Sequence, residues 1–282
     1  MNTDDLSSYE RALFAIQVCA QLHVGNPELF RYAATGSTYL TDTVVVCVTK
    51  NGRAPLGAGQ LLALSTFLTR HQVSSTMPKT MKLFHYKNWT ATVWQKVPHI
   101  PGAVDADALF RTLQTVWDCD PAQVCGAINA PIPPLTDTPR RLLERLDILD
   151  DTTHWLAADL LRCKVLSAAG KLEKMWPTLD LVVCHGDVNR SNVLWNGSQV
   201  TLCDWENLQI GPKEWDLVVP DAQAVLGVQK WTDFDRNNTR EEVWDVCAEL
   251  RTLDSAIFAL YSTIFCSQSD AAPELVLAWL GQ

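Results

Sequence analysis

Two aspartates and an asparagine, Asp187, Asn192 and Asp204, have the types and spacing needed to handle a nucleotide triphosphate with magnesium. They lie within residues 182 to 218, VVCHGDVNRSNVLWNGSQVTLCDWENLQIGPKEWDLV. Phosphoryl transfer asks little covalent chemistry of a protein. An acceptor hydroxyl must be held in line with the γ-phosphate, and a divalent cation must offset the charge on the phosphate oxygens. Asp187 can orient or deprotonate the hydroxyl, while Asn192 and Asp204 offer the oxygen ligands that a hard cation prefers. Glu206 can add a ligand directly or through water.

These residues need a scaffold, and the flanking sequence supplies one. The apolar run Leu181, Val182, Val183 leads into His185, Gly186 and Asp187, and Val193 and Leu194 follow Asn192 directly. That pattern predicts strand, polar loop, strand. Asn196-Gly197 favours a tight hairpin turn, and Val200 to Cys203 return the chain to Asp204. The hairpin is expected to bring Asp187, Asn192 and Asp204 toward one end. Asp and Asn five apart occur often by chance, but here the pair sits between two apolar runs and a second acidic cluster follows. The order matches the protein-kinase plan of loop aspartate, asparagine five residues on, and metal-binding aspartate on the next hairpin.

The segments HGDVNRSNVLW, LCDWEN and GPKEWDLV resemble the catalytic, metal-binding and following segments of the aminoglycoside phosphotransferase and choline kinase-like family. The likeness is strong over residues 182 to 219 and faint elsewhere. It implies an α+β, bilobal, protein-kinase-like fold: a small β-rich N-lobe that binds nucleotide, residues 1–97, and a larger, mainly helical C-lobe with a catalytic β-hairpin, residues 98–282. It implies Asp187 as catalytic base, Asn192 and Asp204 as magnesium ligands, His185 as a brace for the loop and Asp216 as an anchor. Mg2+ and ATP or GTP are the cofactor and co-substrate it implies, and a small-molecule hydroxyl is the acceptor.

The same resemblance assigns roles in the N-lobe. Residues 32 to 50 predict a hairpin whose Gly36, Ser37 and Thr38 lie near the triphosphate or else only form its tip. In the family a basic residue on the next strand reaches the phosphates, held by a helix glutamate. Here Cys47 falls at that register, Lys50 alternates to the other face, and residues 57 to 70 offer only Gln60. Lys50 is the expected phosphate contact if a bulge brings it inward; Arg53 and Lys82 are alternatives. Residues 90 to 97 predict a strand, after 81 to 86, with Gln95 and Val97 contacting the base through the backbone before a hinge at Pro98, Pro101 and Gly102.

Helical periodicity covers residues 9 to 23, 105 to 118, 153 to 175, 240 to 266 and 273 to 280. In the first, Leu13, Phe14, Ile16, Val18 and Leu22 form the expected apolar face. The proline-rich interval 131 to 139 reads as a loop and spacer. Asp233, Asp235 and Glu241, with Glu242 and Asp245, lie where acceptor contacts are expected, although acids also favour a helix start through its dipole.

With 282 residues, 47% apolar and 20% charged, the chain has room for two lobes and an ordinary globular composition. The formal charge of -9 argues against a nucleic-acid partner and weakly favours a cationic acceptor. The nine cysteines lack any C-x-x-C pair, and Cys19, Cys163, Cys184, Cys203 and Cys247 sit in apolar runs. They predict free, buried thiols in a reducing compartment. The polar N-terminus and the lack of a long apolar run predict a cytoplasmic protein with no membrane partner, either monomer or homodimer. Two other functions compete with the kinase. One is a nucleotide-binding module without efficient transfer, motivated by Cys47; the other is a metal-dependent hydrolase using His185 with Asp187 and Asp204.

Overall fold

A computed structural model of the chain describes residues 6–33, 36–52, 56–100, 104–153, 158–227, 229–266 and 280. Its elements in order are α1 (Ser8–Leu22), β1 (Glu28–Ala33), β2 (Gly36–Leu40), β3 (Val44–Lys50), α2 (Ala58–Arg70), β4 (Phe84–Tyr86), β5 (Trp89–Gln95), α3 (Ala106–Trp117), α4 (Pro121–Ile128), α5 (Thr138–Thr153), α6 (Ala158–Met175), β6 (Val182–Cys184), β7 (Val193–Trp195), β8 (Val200–Leu202), β9 (Gln209–Gly211), α7 (Glu214–Leu217), α8 (Val219–Val225) and α9 (Glu241–Cys266). They form two compact units. One comprises Met1–Pro101, Ala122–Pro131 and Asn192–Asn207; the other comprises Gly102–Pro121, Ile132–Ser191 and Leu208–Gln282.

The first unit is built on an antiparallel sheet of order β1-β2-β3-β5-β4. Val44, Val46 and Val48 of β3 and Ala91 and Val93 of β5 bury one face together with α1. A capping box starts α1: the Ser7 hydroxyl accepts the Glu10 N–H at 3.2 Å, and the Glu10 carboxylate accepts the Ser7 N–H at 2.8 Å. The buried stripe of α1 is Arg11, Phe14, Ala15, Val18 and Cys19, whose helical spacing leaves Leu13 and Ile16 outside the core, 39% and 44% exposed. Two hairpins, β1–β2 and β2–β3, replace the single one expected over 32 to 50, and Gly36 opens a strand. Residues 34 and 35, between β1 and β2, lie outside the described residues.

The β7–β8 hairpin belongs to this unit because its backbone is stitched to the stretch after α2. Leu202 N–H donates to Ser74 O, and Thr76 N–H donates to Leu202 O, both at 2.9 Å. Lys79 N–H then donates to Val93 O at 2.8 Å, which carries the connection to β5.

In the second unit β6 pairs with β9, Val182 opposite Gly211, rather than with β7. Three residues of β9 are too short to announce a strand in the sequence. The proline-rich interval is more than a spacer, since Ile210 N–H donates to Pro133 O at 2.9 Å. Helix α5 was hidden by Pro139, which occupies its second position, where the missing N–H costs nothing; Leu142, Leu146 and Leu149 carry its buried stripe. Helix α9 buries Val243, Trp244, Val246, Leu250, Leu253, Ile257 and Leu260, as its periodicity required. The expected helix over 273 to 280 lies, but for residue 280, outside the described residues. Eight cysteines among the described residues are free thiols, and Cys163, expected inside, is exposed. No helix among the described residues is long and apolar enough to cross a membrane.

Candidate active site

The loop after β6 is held from behind by a carboxylate. Asp216, fully buried on α7, accepts the His185 N–H at 3.0 Å, the Gly186 N–H at 2.9 Å and the Trp117 indole N–H at 3.1 Å. Burial pushes the Asp216 carboxyl up from its ordinary value, opposed by the His185 side chain and by these donors. Gly186 has φ 85, a left-handed conformation that a side chain would strain. Its carbonyl accepts the Trp215 indole N–H at 3.2 Å and an Arg251 N–H at 3.1 Å. Both polar groups of Gly186 are thereby fixed. His185 is fully buried, and its Nδ1 accepts the Asp187 N–H at 3.2 Å.

Asp187 projects from this loop with a side chain 28% exposed and paired with Arg251 of α9, whose Nη2 donates to Asp187 Oδ1 at 3.0 Å. Burial alone would raise the Asp187 carboxyl. The charge and hydrogen bond of Arg251, helped by His185 and the Asn189 side chain, win and hold it below its ordinary value. Asn189 also closes the loop locally, accepting the Ser191 N–H at 2.9 Å. Arg251 was not among the expected site residues. Its sequence signal was faint but present: an arginine falling on the apolar stripe of a long helix, four residues after the buried Cys247.

In the first unit, Asn192 and Asp204 stand at the same end of β7–β8, where Cys203 N–H donates to Asn192 O at 3.0 Å. Asn192 is buried, whereas Asp204 is exposed and has φ 65. The next residue is anchored, the Trp205 indole donating to Ser75 Oγ at 2.9 Å. Cys47 lies on the opposite face of β3 from Val46 and Val48 and faces Thr38 across the β2–β3 ladder. Burial, with the charges of Asp204 and Glu206, pushes the Cys47 thiol up to about 12. A neutral thiol therefore sits beside two carboxylates where a cation was looked for.

Lys50 pairs with Trp89 in a β3–β5 ladder that runs without a bulge, so alternation keeps it on the side of Val46 and Val48. Ser37 faces α1, where Arg11 Nη1 donates to its hydroxyl at 3.4 Å. Lys82 lies over the Phe84 ring, and Arg53 falls outside the described residues. Gln60 caps its own helix, accepting the Gly57 N–H at 2.8 Å. Gln95 N–H donates to Met77 O at 2.8 Å, while the Val97 amide has no such bond among the described residues.

The acidic stretch before α9 is largely spent on internal pairs. Asp233 pairs with Lys230, which also holds Asp221 at 2.8 Å, and Asp235 accepts the Asn237 backbone N–H at 2.9 Å. Glu242 pairs with Arg240 at 2.8 Å, leaving Glu241 in the exposed first turn of α9. No group of three or more His, Cys, Asp or Glu side chains arranged for a metal occurs among the described residues, and His185 is tied into its loop.

Residues 30 to 220 match the model of the phosphotransferase enzyme family. The chain belongs to that family. By that membership it is a phosphotransferase. No curated protein is significantly similar to it in sequence. Solved structures share its kinase-like α+β fold. The GDP complex of aminoglycoside 2'-phosphotransferase-IIIa aligns with a TM-score of 0.64 at 13% identity, covering 96% of this chain and 98% of that one. A Plasmodium vivax ethanolamine kinase aligns at 0.65 and 10% identity, covering 100% and 92%. The streptomycin–ATP ternary complex of APH(2")-IIa aligns at 0.61 and 11% identity, covering 98% and 97%.

Removing the Asp216 carboxylate leaves three buried donors unpaired. Asp216→Ala is expected to cost about 3 kcal/mol or more, read as a lower denaturant midpoint with an unchanged slope. For Asp187 the folded value lies below the ordinary 3.8, so the pair contributes stability above that pH and loses it as pH falls through the depressed value. The stability gap between wild type and Asp187→Asn is expected to stay level from neutral pH to about 4 and to close only below it.

Proposed function

We propose that this phosphotransferase moves the γ-phosphate of ATP or GTP to a hydroxyl of a small amino alcohol, an aminoglycoside-like antibiotic or a related metabolite. The observation that carries the reading is Asp187: a carboxylate kept ionised by a buried arginine, on a loop fixed from behind, is suited to receive a hydroxyl hydrogen bond. The acceptor oxygen bonds to the γ-phosphorus as the bond to the β-phosphate oxygen breaks. The hydroxyl proton passes to the Asp187 carboxylate, and the nucleoside diphosphate leaves.

Asn192 and Asp204 would hold magnesium, with Glu206 near. Two carboxylates and a carboxamide fit a cation that takes oxygen ligands and completes its shell with water and phosphate. When bound, magnesium supplies charge neutralisation at the β- and γ-phosphate oxygens. Thr38 and the Val97 backbone are the remaining nucleotide contacts the reading retains. The nucleotide complexes and aminoglycosides of the structural neighbours, together with the ethanolamine kinase, favour an acceptor that carries both hydroxyl and ammonium groups. A net charge of -9 agrees with that class. Free cysteines agree with a reducing, cytoplasmic setting. A second reading, a nucleotide-binding module without efficient transfer, is favoured by one observation, the neutral Cys47 beside Asp204.

The deciding experiment is a transfer screen with magnesium and ATP or GTP against aminoglycosides, choline, ethanolamine, hexoses and homoserine, read by product mass. One added phosphate on an amino alcohol is the expected result; nucleotide binding without transfer to any of them would favour the second reading. Asp187→Asn, which preserves an acceptor for Arg251, is expected to lower turnover by several powers of ten with nucleotide affinity nearly intact. Asp204→Ala is expected instead to weaken binding of the magnesium–nucleotide itself, measured by titration calorimetry.

A further inference from the structure

Arg251 is an expensive residue to keep. Its side chain is 5% exposed and sits on the core face of α9. Desolvating a guanidinium is costly unless its charge and N–H groups are matched, and here the match is incomplete, because Nε has no partner among the described residues. What it does match is specific. One nitrogen, Nη2, donates to Asp187 Oδ1 at 3.0 Å. The other, Nη1, donates to Gly186 O at 3.1 Å and lies 3.4 Å from Asp254 Oδ2. The guanidinium lies 4.9 Å from the Trp215 ring centroid, and Trp215 shares the same Gly186 carbonyl. Behind it, Arg145 of α5 holds the second oxygen of Asp254 at 2.9 Å.

We propose that Arg251 is a positioning residue for the transfer reaction, its planar fork setting the Asp187 carboxylate at a fixed distance and angle from the Gly186 backbone. The inference rests on the reading of Asp187 given above. One nitrogen of the fork grips the carboxylate and the other grips the backbone of the preceding residue, so χ rotation of Asp187 is locked to the loop that carries it. The Arg145–Asp254 pair and the Trp215 face hold the guanidinium in its plane, and a fork held in this way is lost when the charge is kept on a lysine. Among the described residues, the groups that face Asp187 include His185 and Asn189 from its own loop and Arg251 from α9, with Asp254 and Arg145 one step behind and Asp216 beneath the loop.

The test compares Arg251→Lys, Arg251→Gln, Asp187→Asn and each double variant, read as magnesium-dependent transfer to the acceptor found by the screen or, without one, as phosphate release from ATP or GTP to water. Melting temperature and nucleotide affinity are measured beside turnover. In Arg251→Lys the expected result is near-normal melting and nucleotide KM with kcat about a hundredfold lower, the size of a misplaced reacting group. In the Asp187→Asn background neither change at 251 should lower kcat further, because the two act as one unit. Near-wild-type kcat in Arg251→Lys would show that only the charge matters and overturn the proposal, as would losses that multiply in the double variants. Should Arg251→Lys fold poorly, Arg251→Gln decides by the same double-variant comparison. Wild-type turnover in Asp187→Asn is a different failure: it removes the function assigned to Asp187, and this inference with it.

Discussion

The carboxylate of Asp216, sealed from water and accepting N–H bonds from His185, Gly186 and Trp117, is the constraint on which the loop after β6 depends. An isolated buried carboxylate is costly, so its position is tolerable only where several donors converge. That requirement runs outward through the second unit. The β6–β9 ladder brings the residues after Gly211 behind the loop, α3 supplies the indole of Trp117, and α7 supplies Trp215 as well as Asp216. Asp187 is then presented from a backbone with little freedom left.

A second charge layer sits on the first. Arg145, Asp254, Arg251 and Asp187 alternate in sign through contacts between 2.9 and 3.4 Å. Alternation flanks the one buried charge, Arg251, with two partly exposed carboxylates, so its desolvation is offset from both sides. The first unit uses charge differently. There a protonated thiol, Cys47, lies beside Asp204 and Glu206, whose charges add to burial in keeping it neutral.

Much of this was legible in the sequence because the chemistry is local. Asp187, Asn192, Asp204 and Asp216 lie within thirty residues of one another, in the motifs HGDVNRSN, CDWEN and EWDL. Alternation in VVVCVTK placed Cys47 and Lys50 on opposite faces, and the ladder keeps them there. What escaped notice came from distant pairings. Arg251 reaches Asp187 across 64 positions, and nothing near either residue announces the other. Similarly, β9 is three residues long and exists because β6 is there to pair with it. The acids at 233, 235 and 242 looked available as a run of charge, but Lys230, Asn237 and Arg240 engage them, and composition does not distinguish a paired carboxylate from a waiting one.

Asp204 adopts a left-handed backbone, φ 65, at the end of β8. Outside glycine that conformation costs about 1 to 2 kcal/mol, less for aspartate than for most side chains. A glycine there would relax the turn while deleting the carboxylate. A sequence optimised for backbone stability alone would thus drift toward glycine at this position, and the chain keeps an aspartate against that gradient.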